Sequence, residues 1–429
     1  MQKWRPAGLA GLLGLRSVAY GLLVASLALA GCSSEPPRTS VIGATPLAPD
    51  LVPQPMPVLG NRVALLAPLT GPNAERAQAL VQAAQLALDA PGAPKLDVID
   101  TLGTLDGAAA AANKAIANGA GLILGPLTAG ETQAAAGPAT RAGVSMLAFT
   151  SDDAQSRPGV WVLGLTPAQQ VRRLTRSVIA QGKTKFAALL PNTGYGQAMG
   201  DALRHALPPE ASADIRIIDD GNVQSAAATV KSISDYEHRR GPIEEKLRAA
   251  MSKRNAEGRK EAAELRRTDI PPAPMDALLL SSIGDQLDVV TSLLPYYDID
   301  APGVRILGPA LWADPLARGT GNLIGAWYAA PDPAARADFD ARYTAKYTTQ
   351  APGLADLAYD AAAIARVLAA NGGFSAASLT RPEGFAGVDG VLGLLPDGHV
   401  RRGLAVFEIQ RGGVQIVDPA PDNLGAPGL

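Results

Sequence analysis

The chain has 429 residues, 47% hydrophobic and 4% aromatic, with 38 basic and 40 acidic residues and a formal net charge of −2. Such a balance leaves no electrostatic footprint for nucleic acid or for an anionic membrane surface. A single cysteine excludes both a disulfide framework and a cysteine-based metal site within one molecule.

Residues 1–31 read as a secretory signal peptide: Lys3 and Arg5 precede an apolar run from Ala7 to Ala30, broken by Arg16, Ser17 and Ser26. The run closes on Leu29-Ala30-Gly31-Cys32, which resembles the lipobox of bacterial lipoproteins. That resemblance implies a diacylated Cys32 as the mature N-terminus. In a Gram-negative host, Ser33 after the cysteine is similar to an outer-membrane sorting signal, so the expected place is the periplasmic face of the outer membrane. If sorting differs, it is the outer face of the inner membrane. Residues 32–60 are rich in Pro, Ser and Thr and lack periodicity, the composition of a flexible tether. Membrane contact is therefore expected through lipid alone. The remaining residues, about 360, exceed the usual size of one core and predict two lobes.

From Arg62 the sequence alternates apolar strands with helical patterns. Strands are expected at Arg62–Pro68, Leu96–Asp100, Gly121–Leu127, Ser145–Thr150 and Val160–Leu165, and helices at Ala74–Asp89, Leu105–Asn118 and Glu131–Arg141. Strict alternation with near-continuous apolar strands predicts a parallel sheet covered on both faces. The turn from Gly125 to Thr132 is the pivotal stretch, because the carboxyl end of a strand and the first turn of the next helix leave backbone N–H groups ready for an anion. A second series follows: helix to Gln181, strand Lys185–Pro191, helix Gln197–Leu207, strand Ala213–Asp219, strand Asp276–Ser282, helix Asp285–Leu294 and strand Val304–Gly308. Between them, residues 232–270 change character. Paired basic residues such as Arg239-Arg240 and Arg266-Arg267 alternate with glutamates, and Ile243, Leu247 and Met251 form a narrow stripe. This predicts a protruding helical hairpin or long helix packed on one side. After Pro331 come helical patterns at Pro333–Tyr347 and Leu354–Asn371, then a meander of strands turning at Pro396-Asp397-Gly398 and Arg411-Gly412-Gly413.

The opening Val63–Gly71 run, the Gly125–Gln133 turn, Tyr195-Gly196 and the closing Gly387, Gly390 and Asp397-Gly398 pattern together resemble the type I periplasmic solute-binding proteins of the leucine/isoleucine/valine-binding family. The resemblance implies an α/β chain of two doubly wound parallel-sheet lobes, joined by three crossovers and closing on a cleft, here with a charged helical insertion in the second lobe. The expected division is 61–166 and 311–372 for lobe 1, 167–310 and 373–419 for lobe 2 with the insertion at 232–270, and a tail at 420–429. It also implies a cleft lined by Thr128, Ala129, Gly130, Thr150, Ser151, Asp152, Tyr195, Ser282, Gly284 and Asp285. Trp312, in the loop after Gly308, is a further cleft candidate that could stack on a ligand, burial at the hinge being the more common role of such a residue. Family members hold an α-carboxylate with hydroxyls at the first turn, where this chain has Ala129 at the central position. The second loop, Thr150-Ser151-Asp152-Asp153, brings carboxylates toward the same spot. Like charges a few ångström apart cost on the order of several kcal/mol when partly desolvated, enough to abolish micromolar binding.

The lipobox, the tether and the insertion together resemble penicillin-binding protein activator lipoproteins. This implies a binding-protein fold that contacts a peptidoglycan synthase through the 232–270 insertion. The alternative is the receptor of an ABC importer for branched-chain or other amino acids, with a small amino-acid-like ligand in the cleft. No catalytic, cofactor or metal site is expected. Gly194, Gly196 and Gly200 imitate a dinucleotide fingerprint, but Pro191-Asn192-Thr193 separates strand from glycines where the fingerprint needs a tight turn. His205, His238 and His399 lack ligand spacing, and the pairs Asp152-Asp153 and Asp219-Asp220 diverge on an extended backbone.

Overall fold

The structure is a computed structural model and describes residues 60–219, 221–319 and 322–423. The signal segment, Cys32 and the tether lie outside the described residues. Among those described, no helix is long and apolar enough to cross a membrane.

Five parallel strands, β1 (Arg62–Ala67), β2 (Lys95–Asp100), β3 (Leu122–Leu124), β4 (Ser145–Ala148) and β5 (Val160–Val162), form the first sheet in the order β2-β1-β3-β4-β5. Their apolar runs are two-sided because both faces are covered. Val63, Leu65, Leu122 and Leu124 join a core with the helices Ala74–Ala87 and Ala355–Ala370, while Ala64, Leu66, Ile123 and Met146 face the helices Leu105–Ala117 and Ala129–Arg141. Alternate side chains of a strand point to opposite faces, so a sheet between two helical layers needs an apolar residue at every position.

The second sheet holds β6 (Lys185–Pro191), β7 (Ser212–Ile218), β8 (Ala277–Leu280), β9 (Arg305–Gly308) and β10 (Trp327–Ala330), all parallel. A three-stranded antiparallel sheet follows, β11 (Phe385–Gly387), β12 (Gly390–Leu394) and β13 (Val400–Arg402). The last strands, β14 (Ala405–Gln410) and β15 (Gly413–Asp418), return antiparallel to the second sheet, whose order is β15-β14-β10-β9-β8-β6-β7. The two-lobed α/β architecture is that of the type I periplasmic binding proteins.

The sheets divide the chain differently from the sequence expectation. Residues 311–330 go with the second lobe, because β10 pairs with β9 and β14. Residues 373–402 go with the first, because Phe374, Val388, Leu392, Leu394 and Val400 pack into the core of the first sheet. The chain therefore passes between lobes at 163–166, 331–332 and 403–404. The strand β10 is four residues long, too short to register as a period.

A buried charge cluster fixes two of these passages. Arg402 donates to the Leu163 carbonyl at 2.8 Å, where β5 leaves the first lobe, and lies 3.8 Å from Asp389. Arg336 approaches Asp356 at 3.4 Å and Asp389 at 3.9 Å, and Asp360 accepts from the Val388 amide at 2.7 Å. Gly387 is required there, since a Cβ would fall 2.5 Å from an Asp360 oxygen. Three buried carboxyls facing two guanidiniums are neutral only if one proton is retained. Burial, reinforced by Asp389, pushes Asp356 well above the usual carboxylate range, and burial pushes Asp360 up to about 7. A carboxyl whose pKa is raised by folding stabilises most below its unfolded value near 4, and that stabilisation is lost as pH rises to about 7. Asp360→Asn, which mimics the protonated form, should flatten this decline by roughly 1 kcal/mol per pH unit across that window, measured by urea unfolding between pH 4 and 8.

The insertion folds as the short helix Tyr236–Arg239 and a hairpin of Gly241–Ser252 with Ala256–Leu265. Gly258 lets the hairpin close, since a Cβ would lie 2.4 Å from the Ala250 carbonyl, and Asn255 caps the returning helix by accepting from the Gly258 amide at 2.7 Å. The expected stripe is partial: Ile243 and Leu247 are half-buried, whereas Met251 is exposed. What seats the hairpin is Arg239, buried, whose guanidinium donates to the carbonyls of Ser234 (2.6 Å), Pro271 (2.8 Å) and Tyr297 (2.9 Å). Arg240 adds an ion pair to Asp298 at 2.8 Å. Arg239→Met leaves two buried acceptors and one partly buried acceptor without their donor and should cost about 3 kcal/mol, read from the urea midpoint. Arg248→Met on the exposed face should stay within about 0.5 kcal/mol.

Candidate functional site

The turn after β3 was expected to offer an anion site. Thr128 caps the helix Ala129–Arg141: its hydroxyl accepts from the Glu131 amide at 3.3 Å, and the Glu131 carboxylate returns to the Thr128 amide at 3.1 Å and hydroxyl at 2.7 Å. Glu131 is 1% exposed, and its other oxygen accepts from the Thr101 hydroxyl. The chain's own carboxylate thus occupies the donors at Thr128 that the sequence expectation assigned to a ligand. The signal was present as the capping-box spacing Thr128-x-x-Glu131. Ala129 and Gly130 are half-buried first-turn residues of this helix.

The main cavity, about 840 Å³, opens between the loop after β4 and the helix Gly194–Ala206. It brings together four of the expected residues, Thr150, Ser151, Asp152 and Tyr195. Thr150 is buried and its hydroxyl accepts from the Asp152 amide at 3.1 Å. The Asp152 carboxylate turns inward along its own loop, accepting from the Ala154 amide at 3.1 Å and from the Gln155 side chain at 3.0 Å. Tyr195 stands on the first turn of its helix, which Thr193 caps through the Gly196 amide at 3.0 Å. Burial pushes its phenol up to about 12, with Gln170 at its hydroxyl opposing the rise. Tyr195 is therefore a neutral donor at neutral pH.

Asp153, whose loop the sequence had already brought to this spot, also lines it, but sequence reasoning missed the rest: Arg172, Asp201 and His205 on the helix of Tyr195, and His399 from the turn before β13. His399 lies 3.7 Å from Asp153 and 3.2 Å from Asp397. These residues are scattered over 247 positions of sequence from 153 to 399, and only the crossover topology assembles them. Three carboxylates against one arginine make the cavity a poor place for a carboxylate ligand.

The other expected residues lie elsewhere. Trp312 is fully buried in the second lobe's core; its indole N–H donates to the Ser282 carbonyl at 3.2 Å and its ring lies over Gly308, where a Cβ would be 2.2 Å away. A large aromatic after a central strand buries more apolar area inside than it would at a wet cleft, so the expected cleft position is corrected. Ser282 is buried beneath it, and Gly284 and Asp285 begin the helix Gly284–Leu293 outside the cavity lining. Asp219 follows the exposed edge strand β7, and Asp220 lies outside the described residues. Among the described residues no group of three or more His, Cys, Asp or Glu side chains is placed to hold a metal ion.

With this geometry in hand, residues 61–229 match the family model described as periplasmic binding protein. That match covers less than half of the chain, and solved structures share the fold of most of it. A putative branched-chain amino acid ABC transporter protein from Rhodospirillum rubrum is similar at 18% identity and a TM-score of 0.62, with 83% of this chain and 99% of that one covered. A branched chain amino acid ABC transporter periplasmic ligand-binding protein from Burkholderia xenovorans is similar at 16% identity and a TM-score of 0.58, covering 84% and 95%. Full-length LpoA from Haemophilus influenzae is similar at 18% identity and a TM-score of 0.58, covering 83% of this chain but 59% of LpoA. At these identities the likeness is one of fold. No curated protein matches the sequence.

Glu131→Ala should leave the buried Thr101 hydroxyl and the Thr128 amide without their acceptor and remove the return half of the capping box, while the Thr128 hydroxyl still caps the residue-131 amide, costing about 2 kcal/mol. Glu131→Gln, which keeps one acceptor, should cost less than half of that. Urea unfolding of the two variants in parallel checks the order.

Proposed function

We propose that this chain is a non-catalytic, lipid-anchored periplasmic lipoprotein that acts through a protein partner, activating a peptidoglycan-synthesising penicillin-binding protein. The observation that carries this reading is Glu131. An amino-acid receptor of this fold needs donors at that helix start for the ligand's carboxylate, and here a buried side chain of the chain itself takes two of them, the Thr128 amide and hydroxyl. The acid-rich cavity argues in the same direction. A hairpin seated on the second lobe by Arg239 and presenting its charged faces to solvent supplies a surface for a partner. The fold likeness to LpoA supports the same reading. Anchoring through Cys32, with residues 32–60 as tether, belongs to this proposal.

The second reading, an importer receptor, draws support from the near-complete coverage of the Rhodospirillum rubrum protein, 99% against 59% for LpoA. Calorimetric titration of the full chain with leucine, isoleucine, valine and other neutral amino acids separates the two. We expect no heat of binding, together with capture of a peptidoglycan synthase that is lost when residues 235–269 are deleted. Micromolar enthalpic binding abolished by Tyr195→Ala would overturn the activator reading and make the chain a receptor.

A further inference from the structure

The cavity of Tyr195 repels a carboxylate, but its size and walls suit another kind of ligand. Its volume of about 840 Å³ is that of sites that enclose a small organic molecule, and such sites lie preferentially between domains. Here the loop after β4 supplies one wall from the first lobe and the helix Gly194–Ala206 supplies the other from the second. Part of the second wall is apolar. Ala198, Ala202 and Ala206 recur at every fourth position of that helix, and residues four apart share a helix face, so their methyl groups line up as a strip.

The charges beside that strip are mostly of one sign. Asp152 and Asp153 reach the cavity from the first lobe and Asp201 from the second, against the single guanidinium of Arg172. Three carboxylates against one guanidinium leave two negative charges. Tyr195, held neutral by burial, adds none. Asp201 does pair with Arg204 at 2.5 Å, but both side chains are exposed and Arg204 lines a different cavity, so the pair contributes little and the carboxylate stays accessible. His399 approaches Asp153 at 3.7 Å, beyond hydrogen-bond distance, and the Ser156 hydroxyl reaches that carboxylate at a long 3.4 Å. At the floor Thr150, 7% exposed, spends one lone pair of its hydroxyl on the Asp152 amide and keeps the other. An ammonium carries three N–H donors and no acceptor. The side chains of Thr150, Ser151, Asp152 and Asp153 meet it with two hydroxyls and two carboxylates.

We infer that this cavity binds a linear diamine: one ammonium lies at Asp152 and Asp153 of the first lobe, the methylene chain along the alanines of the helix Gly194–Ala206, and the second ammonium at Asp201 of the second lobe. Acidic walls that face each other across a cleft repel, and a cation with a charge at each end relieves both at once. The methylene body needs no polar partner, which is what the alanine strip provides. The inference is independent of the activator reading, because a diamine in the cavity neither requires nor excludes a protein partner at the insertion.

The test uses the full chain at constant ionic strength with putrescine, butylamine and γ-aminobutyrate, which share a four-carbon chain with an amine at one end and differ at the other. We expect saturable calorimetric binding of putrescine, with a rise in thermal midpoint that sodium chloride does not give. Butylamine should bind about tenfold or more weakly, the equivalent of one charge-assisted contact, and γ-aminobutyrate should give no heat. Asp152→Asn with Asp153→Asn should weaken both amines about tenfold or more. Asp201→Asn should bring putrescine down to the level of butylamine and leave butylamine unchanged, a split that a merely structural effect would not produce. Glu210→Gln with Asp338→Asn removes as much charge at exposed positions outside the cavity and should leave binding unchanged. Equal affinity for putrescine and butylamine in the unaltered protein, γ-aminobutyrate binding as tightly as putrescine, or the same loss in the Glu210 and Asp338 variant would overturn the inference. So would a thermal midpoint no higher in putrescine than in sodium chloride.

Discussion

The guanidinium of Arg402 sits where the lobes are tied together, and the arrangement of the molecule hangs on it. It donates to Leu163 as the chain leaves the first sheet, faces Asp389 in the turn between β11 and β12, and ends the strand from which the chain leaves for the second sheet. Its one hydrogen bond, to the Leu163 carbonyl, and its ion pair with Asp389 at 3.8 Å are what offset the loss of water around this charge, so the segments that supply them are drawn together there. Arg336, Asp356 and Asp360 extend that constraint to the helices Pro333–Tyr347 and Ala355–Ala370. The result is a small polar core set against the apolar core of the first lobe, and it gives the crossovers a defined geometry that leucines alone would leave adaptable.

A binding-protein fold places helix starts and strand ends around a cleft, and those unpaired N–H groups invite an anion. In this chain the invitation at the third strand is answered from inside by Glu131, and the loop after the fourth strand brings Asp152 and Asp153 to the cavity. Both changes act on the same variable, the electrostatic potential offered to a carboxylate. The fold stays intact because a capping box stabilises the helix as well as a ligand would organise it, and without needing one.

The insertion shows how an exposed, charged segment can still be rigid at its root. Its hairpin buries little beyond Ala250 and Ala262, so apolar burial cannot hold it in place. Arg239 does, by satisfying three carbonyls at once, with the edge-on pair Tyr236 and Tyr297 packed beside it at 5.2 Å between ring centroids. Most other charged groups on the hairpin point to water, where single ion pairs contribute little. Such a surface costs the fold little to carry and is open to selection for contact.

The sequence by itself determined the local elements and their alternation, because a strand between two helical layers must be apolar at every position and a helix start advertises its cap; Val63–Ala67, Thr128-x-x-Glu131 and the apolar runs of the second lobe were all legible. It placed the charged insertion, too, by composition alone. Which lobe β10 and the β11–β13 sheet join, and that Trp312 is buried and not in the cleft, were decided by pairing and packing between segments far apart in the chain. The same holds for the cavity's His399 beside Asp153. A local pattern carries the period of a helix or strand but not its neighbour, and charge balance at a site is a property of neighbours.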